Sequence, residues 1–306
     1  MIEEKKIDSV TWINLENPTT EELRTLIDKY DIEVAVADEL LSPTLRPRID
    51  VHNKHLYLIL HFPRLTDVKK IKNREIQEID FVIGKNYIIT AHYNSIDALG
   101  VFAKQFEVAA VLSKNIPHQL SGHIFFEILH HLYDSSLSFV EQTRNLLGDA
   151  EEMIFEGREK ETVLELSRIH RAILAYKEAF SPHEDVLLSL REHAGDFFND
   201  ELQTNVLRII GKYNKIHDAI ESNREYLHEL RDTNDSLLST KQNEIMKTLT
   251  VVTFVMLPLS LVAGIFGMNS NNMPFIGQTY DFAIISAIMI LIVVIMVFFI
   301  KKKNWL

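Results

Sequence analysis

Up to about residue 115 the chain alternates short apolar runs with polar turns. Val10–Leu15, Arg48–Val51, His55–His61, Ile76–Ile83 and Tyr87–His92 are rich in Ile, Val and Tyr and are expected strands. Gly84-Lys85-Asn86 separates the last two, which predicts a hairpin. Thr19-Thr20-Glu21-Glu22 sets Glu22 three residues after Thr19, a capping box that opens a helix. Another helix is expected over Ser95–Leu112. From about His118 the pattern turns helical, with helices expected over 118–156 and 158–191. They part near Gly157, inside an acidic tip of Asp149, Glu151, Glu152, Glu156, Glu159 and Glu161. A further helix starts near Asp200. Between Asp200 and Met256 there is no proline, and Gly211 is the only glycine, so nothing stops it. It is expected to run unbroken to about residue 266, roughly 100 Å of helix.

Charged positions then vanish. No Asp, Glu, Lys or Arg occurs from Thr248 to Tyr280, or from Phe282 to Ile300; Asp281 alone interrupts. Each block is about 20 residues long, enough to span a hydrocarbon core of about 30 Å. Thr248–Met268 and Phe282–Ile300 are the expected transmembrane helices. A buried hairpin of a soluble protein fits poorly, because two such helices at the C-terminal end are hard to enclose. Met1-Ile2-Glu3-Glu4-Lys5 offers no apolar signal-peptide core, so the first 245 residues are expected to stay in the cytoplasm. Lys241 and Lys247 precede the first span and Lys301-Lys302-Lys303 follow the second, while the 270–281 loop has neither Lys nor Arg. Both termini are therefore expected on the cytoplasmic side of a plasma (inner) membrane.

The formal net charge is −11, carried almost wholly by the part before the spans. An acidic body argues against nucleic acid and suits cationic ligands. The chain has no cysteine, which excludes disulfides and thiolate metal sites. No Gly-rich phosphate loop, nucleophile elbow or triad pattern occurs, so no enzyme is expected.

Two spans per chain cannot enclose a water-filled path, so transport would require several copies around an axis. Steps of three and four along the long helix collect Thr250, Thr253, Leu257, Ser260 and Gly264 within the membrane. The same steps collect Ser236, Ser239, Asn243 and Met246 before it, and Asp218, Ser222, Glu225, Glu229 and Asp232 further back. As a pore lining, the acids would concentrate cations. The hydroxyls would hold hydration water, and Met246 and Leu257 would close the path by dewetting. The same row also fits a simpler role, in which small and hydroxyl residues let helices pack closely and the acids form a solvated face. Pro258 frees a carbonyl inside the span and usually kinks a helix. Gly267 can take a positive φ and end the helix. Asn269 offers a neutral oxygen and an amide donor. A ring of such groups suits Mg²⁺, which sheds its waters reluctantly and is held through its hydration shell.

Gly267-Met268-Asn269 at the outer end of the first span, with Lys-Lys-Lys-Asn-Trp-Leu at the end of the chain, resembles the CorA family of divalent cation transporters. Asn243-Glu244-Ile245-Met246-Lys247, Leu257-Pro258-Leu259-Ser260 and Ala263-Gly264-Ile265 are similar to that family's first span. Phe266 stands where the family usually has Tyr. The resemblance implies an α/β cytoplasmic domain, a long helical stalk and two C-terminal transmembrane helices, assembled as a funnel-shaped homopentamer in membrane lipid. It implies Gly267, Met268 and Asn269 at the pore mouth, with Asn269 in the selectivity ring. Asn243 and Ser260 would be polar pore positions, Met246, Leu249 and Leu257 a hydrophobic gate, and Asp232 an acid low in the stalk. Mg²⁺ would be both substrate and regulator, with Co²⁺ and Ni²⁺ as further cargo. Zinc transporters, some coupled to protons, share the motif. The regulatory acids have no assignment here, since one expected acid falls at Arg208. The outer loop also departs from the family, with Asn271 and Phe275 where acids are common. A membrane-anchored sensor or scaffold is the rival class.

The expected divisions are an α/β subdomain over 1–115, a helical hairpin over 116–195, a stalk over 196–247 and a two-span region over 248–306. Two further constellations fit a transition metal by spacing: His123, Glu127, His130, His131 and Asp134, and His183-Glu184-Asp185. Packing and surface roles are the favoured expectation for both, since Phe125, Phe126 and Leu129 share the first segment.

Overall fold

Six strands form one mixed sheet in the order β1-β2-β6-β5-β4-β3. They are β1 Ile2–Ile7, β2 Val10–Glu16, β3 Arg48–Val51, β4 His55–Pro63, β5 Ile76–Gly84 and β6 Tyr87–His92. The computed structural model describes residues 2–7, 9–64, 76–112, 121–198, 200–268 and 280–303. Only β2 and β6 pair in parallel; the other neighbours are antiparallel. The hairpin β5–β6 turns at Gly84, where an added Cβ would lie 2.2 Å from the Tyr87 ring. The absent side chain lets Tyr87 fold back against Tyr30, with ring centroids 4.5 Å apart.

Two short helices, α1 Thr20–Tyr30 and α2 Val34–Glu39, cover one face of the sheet. Leu23, Leu26, Ile32, Val36 and Leu40 pack there on Ile13, Leu15, Ile59, Val82 and Ile89. The capping box forms as expected: Thr19 Oγ1 accepts the Glu22 N–H at 3.3 Å, and Glu22 Oε2 accepts the Thr19 N–H at 2.9 Å. Behind the sheet lie α3 Asp97–Leu112, α4 Ser121–Phe155, α5 Glu159–Phe180 and α6 His183–Phe197. Trp12 from β2 is buried between Phe102 and Phe106 of α3 and donates to Thr90 Oγ1 at 3.0 Å.

Three features depart from the sequence expectations. Strand β1 was not anticipated, because Glu3-Glu4-Lys5-Lys6 carries no apolar pattern. An edge strand tolerates such charge, which blunts pairing with other chains, and Lys5 seats its ammonium 5.7 Å from the Trp12 ring while pairing with Glu107 at 2.9 Å. Helix α2 was also missed; six residues are too few for a clear period. The helix expected over 158–191 is broken at Ser181-Pro182, since proline cannot continue the backbone ladder, and α6 starts at His183. The break near Gly157 is present, with Gly157 at φ 83°.

Helix α7 runs from Asp200 to Phe266 without interruption and contains Pro258; α8 spans Asp281–Lys302. The chain divides into two compact units, Met1–Arg231 and Asp232–Leu306. In the first, Val206, Ile209, Tyr213, Ile216, Ile220, Leu227 and Leu230 of α7 are buried. In the second, none of the apolar stretch of α7 and 6% of that of α8 is buried within the chain. Helices so apolar and so uncovered need lipid or other copies of the chain as solvent.

Candidate functional site

The polar row of α7 is set by helix periodicity at about 100° per residue. In the first unit, Asp218, Ser222, Glu225 and Glu229 are exposed and lie on the side of α7 opposite its buried positions. Their carboxylates have no ion-pair partner among the described residues. Glu221, off the row, is instead neutralised by Lys177 at 2.7 Å and Arg224 at 2.9 Å, and the Lys177 hydrogen bond lowers its pKa. Arg144 of α4 reaches the row: its guanidinium donates to Ser222 Oγ at 3.2 Å and lies 5.6 Å from the Tyr226 ring. Tyr226 in turn donates to Glu151 at 2.6 Å. This fixed cation beside the acids had no signal in the sequence, because α4 and α7 meet only in the tertiary structure.

In the second unit, Asp232, Ser236, Ser239, Asn243, Met246 and Leu249 are exposed. Within the apolar stretch, the half-buried positions are Val251, Val255, Pro258, Leu259, Val262 and Phe266. Thr250, Thr253, Leu257, Ser260 and Gly264 lie on the opposite side and are exposed. Among the described residues, the chain's own contacts therefore leave the row uncovered. Thr250 Oγ1 donates to the Met246 carbonyl at 2.7 Å, and Thr253 Oγ1 to the Leu249 carbonyl at 2.9 Å. Each hydroxyl proton is spent on its own helix, and the oxygen lone pairs remain as acceptors. Acceptors are what a hydrated cation requires, since its waters point their hydrogens outward.

Gly267 ends α7 without the left-handed φ expected of it. Its N–H donates to the Ala263 carbonyl at 2.9 Å, and an added Cβ would lie 2.9 Å from that same oxygen. Glycine is suited to this turn by its missing side chain rather than by its backbone freedom. Met268 is exposed and donates its N–H to the Ile265 carbonyl at 3.3 Å. Asn269 lies outside the described residues, as do Asn271 and Phe275.

Among the described residues no group of three His, Asp or Glu side chains is placed to hold a metal ion. In the His123–Asp134 constellation, Asp134 pairs with Lys212 and the His131 ring lies against Phe102. Burial, with Lys212 nearby, lowers the His130 pKa. His183 is wholly buried, with Nδ1 2.7 Å from the Tyr133 hydroxyl and Nε2 2.7 Å from the His61 carbonyl. Both nitrogens are occupied, and burial pushes its pKa down to about 3. It pins the α5–α6 corner to β4 and cannot bind a metal.

A model of the CorA-like Mg2+ transporter protein family matches residues 8–302. The cobalt/magnesium transport protein CorA of Thermotoga maritima is 25% identical over 297 residues, covering 97% of this chain and 83% of that protein. The zinc transport protein ZntB of Yersinia pseudotuberculosis is 20% identical over 303 residues, covering 96% of this chain and 88% of that one. Among solved structures, the complete CorA magnesium transporter of Methanocaldococcus jannaschii superposes with a TM-score of 0.83 at 22% identity, covering 99% of this chain and 94% of that chain.

Proposed function

The chain belongs to the CorA-like Mg2+ transporter family, and on that premise we propose that it is a passive channel for hydrated divalent cations, Mg²⁺ foremost. Five copies would assemble around the α7 helices in the plasma membrane, with both termini in the cytoplasm. The observation that carries this is the exposed row on α7: Thr250, Thr253, Ser260 and Gly264, with the hydroxyl protons of Thr250 and Thr253 spent on their own helix and their oxygens left as acceptors. A scaffold has no use for such a row inside a bilayer. Around an axis the row becomes stacked rings of acceptors matched to an ion that keeps its waters.

Each residue then has a stated part. Asn269, with Gly267 and Met268, forms the outer mouth and binds the hydration shell through neutral oxygen. A carboxylate ring there would hold the ion too tightly to release it. Met246, Leu249 and Leu257 form apolar rings that close the path by dewetting. Asn243 is a polar ring below the span, and Asp218, Glu225, Glu229 and Asp232 focus cations toward the cytoplasmic end. Inward movement of a divalent ion gains about 4.6 kcal/mol per 100 mV of inside-negative potential, so no ATP site is needed. Mg²⁺ bound between cytoplasmic domains would hold the pore shut. The match to a zinc transporter keeps Zn²⁺, with or without proton coupling, as the second reading.

The deciding experiment is cation entry into proteoliposomes under an inside-negative potential, for wild type and Asn269→Ala, with Mg²⁺, Co²⁺ and Zn²⁺ in turn. Mg²⁺ flux that collapses in the variant is expected. Flux of Zn²⁺ alone, rising with an imposed proton gradient, would favour the second reading. No flux of any ion from intact oligomers freed of internal Mg²⁺ would refute both.

A further inference from the structure

The polar row of α7 carries a cation that does not come from α7. Arg144 belongs to α4, and a chain of contacts fixes where its guanidinium lies. Asn223, 2% exposed, donates to the Val140 carbonyl at 2.8 Å and ties α7 to α4 one helical turn before Arg144. Arg144 Nη1 then donates to Ser222 Oγ at 3.2 Å, and its guanidinium carbon lies 5.6 Å from the centre of the Tyr226 ring. Tyr226 is itself held, since its hydroxyl donates to Glu151 Oε2 at 2.6 Å. Glu151 lies two turns beyond Arg144 along α4. The ring that braces the guanidinium is therefore anchored to the helix that supplies it. Among the described residues Arg144 makes no ion pair, so its charge is not spent on a carboxylate of its own helix.

Ser222 is inside the acid row. Asp218 lies four residues before it and Glu225 three after, so both exposed carboxylates are a turn away on the same face. Two carboxylates with a hydroxyl between them offer only oxygen, the ligand that Mg²⁺ and Mn²⁺ take, directly or through water. With Arg144 in place, that stretch already holds a positive charge and a set of donors. A guanidinium does not lose its proton, so the charge is permanent. We propose that Arg144, braced by Tyr226 and Glu151, is a tethered counter-ion that keeps divalent cations from lodging between Asp218 and Glu225, so that the row attracts cations without retaining them. The consequence for transport rests on the channel reading above; the counter-ion itself does not.

Two measurements separate the charge from the channel. The first is Mn²⁺ binding by the full-length protein in detergent, read by electron paramagnetic resonance. Arg144→Gln is expected to bind Mn²⁺ several-fold more tightly than wild type. Arg144→Lys keeps the charge and is expected to bind as wild type does. The gain in Arg144→Gln is expected to vanish when Asp218→Asn and Glu225→Gln are added. A residue that only tied α4 to α7 would lower the melting temperature in both variants and leave Mn²⁺ affinity unchanged, and that result would overturn the proposal. So would a gain that survives the loss of the two acids. The second is single-channel current. Arg144→Gln is expected to pass more current at low Mg²⁺ but to saturate at a several-fold lower Mg²⁺ concentration, because ions dwell in the row. A conducting wild type with the same half-saturating concentration in Arg144→Gln would overturn the proposal and leave the channel reading intact. A wild type without current would overturn the channel reading, and Mn²⁺ binding would still decide the counter-ion.

Discussion

At the scale of single residues, His183 shows how burial converts a titratable group into a structural pin. Its Nε2 faces a carbonyl, so that nitrogen must carry the proton, and Nδ1 accepts from Tyr133. The folded state holds the ring neutral down to a pKa of about 3, whereas the unfolded chain binds a proton near pH 6.5. The unfolded state is therefore favoured progressively as the pH falls from about 6.5 toward 3. The expected outcome is an acid-labile first unit whose melting temperature drops across that window, with a shallower drop in His183→Gln. Tyr133→Phe leaves Nδ1 buried without a donor and is expected to cost about 1–3 kcal/mol at neutral pH, read by denaturant unfolding.

At the scale of the element, α7 has two different burdens. In the first unit its buried stripe is packed and Asn223 donates to the Val140 carbonyl at 2.8 Å, so that portion is tied to α4. In the second, its polar row is exposed, and Thr250 and Thr253 bond only back to their own helix among the described residues. Replacing Thr250 and Thr253 with Val and Ser260 with Leu should therefore leave helix content and thermal stability close to wild type. The same variant should lose most of its cation flux, because acceptors are exchanged for methyl groups along the path. Circular dichroism and the proteoliposome assay together check both halves; unchanged flux would return the row to a packing role. Pro258 lies within a continuous helix and on the half-buried side, so its ring is directed away from the row.

At the scale of the whole molecule, charge is the long-range variable. The net charge of −11, together with Asp218, Glu225 and Glu229, which have no ion-pair partner among the described residues, should raise local cation concentration along the first-unit part of α7. Changing these three and Asp232 to Asn or Gln is expected to lower Mg²⁺ conductance several-fold at low ionic strength. The difference should shrink as salt shortens the Debye length toward about 8 Å. Single-channel recording across a salt series measures it. Arg144, next to Ser222, opposes that field, so Arg144→Gln should shift conductance in the other direction.

Much of this protein was legible from local pattern. The capping box at Thr19, the hairpin at Gly84, the uninterrupted α7 and the two uncharged blocks depend on residues close in sequence, so spacing and composition determine them. The Gly267-Met268-Asn269 signature and its place after an apolar helix were enough to point to the family. The tertiary structure decided what depends on distant neighbours. β1 is a strand because β2 offers it an edge, not because Glu3-Glu4-Lys5-Lys6 prefers to be extended. His183 is excluded as a ligand by Tyr133 and the His61 carbonyl, far from it in sequence. Burial and hydrogen-bond partnership are properties of the packed chain, and no single stretch of sequence contains them.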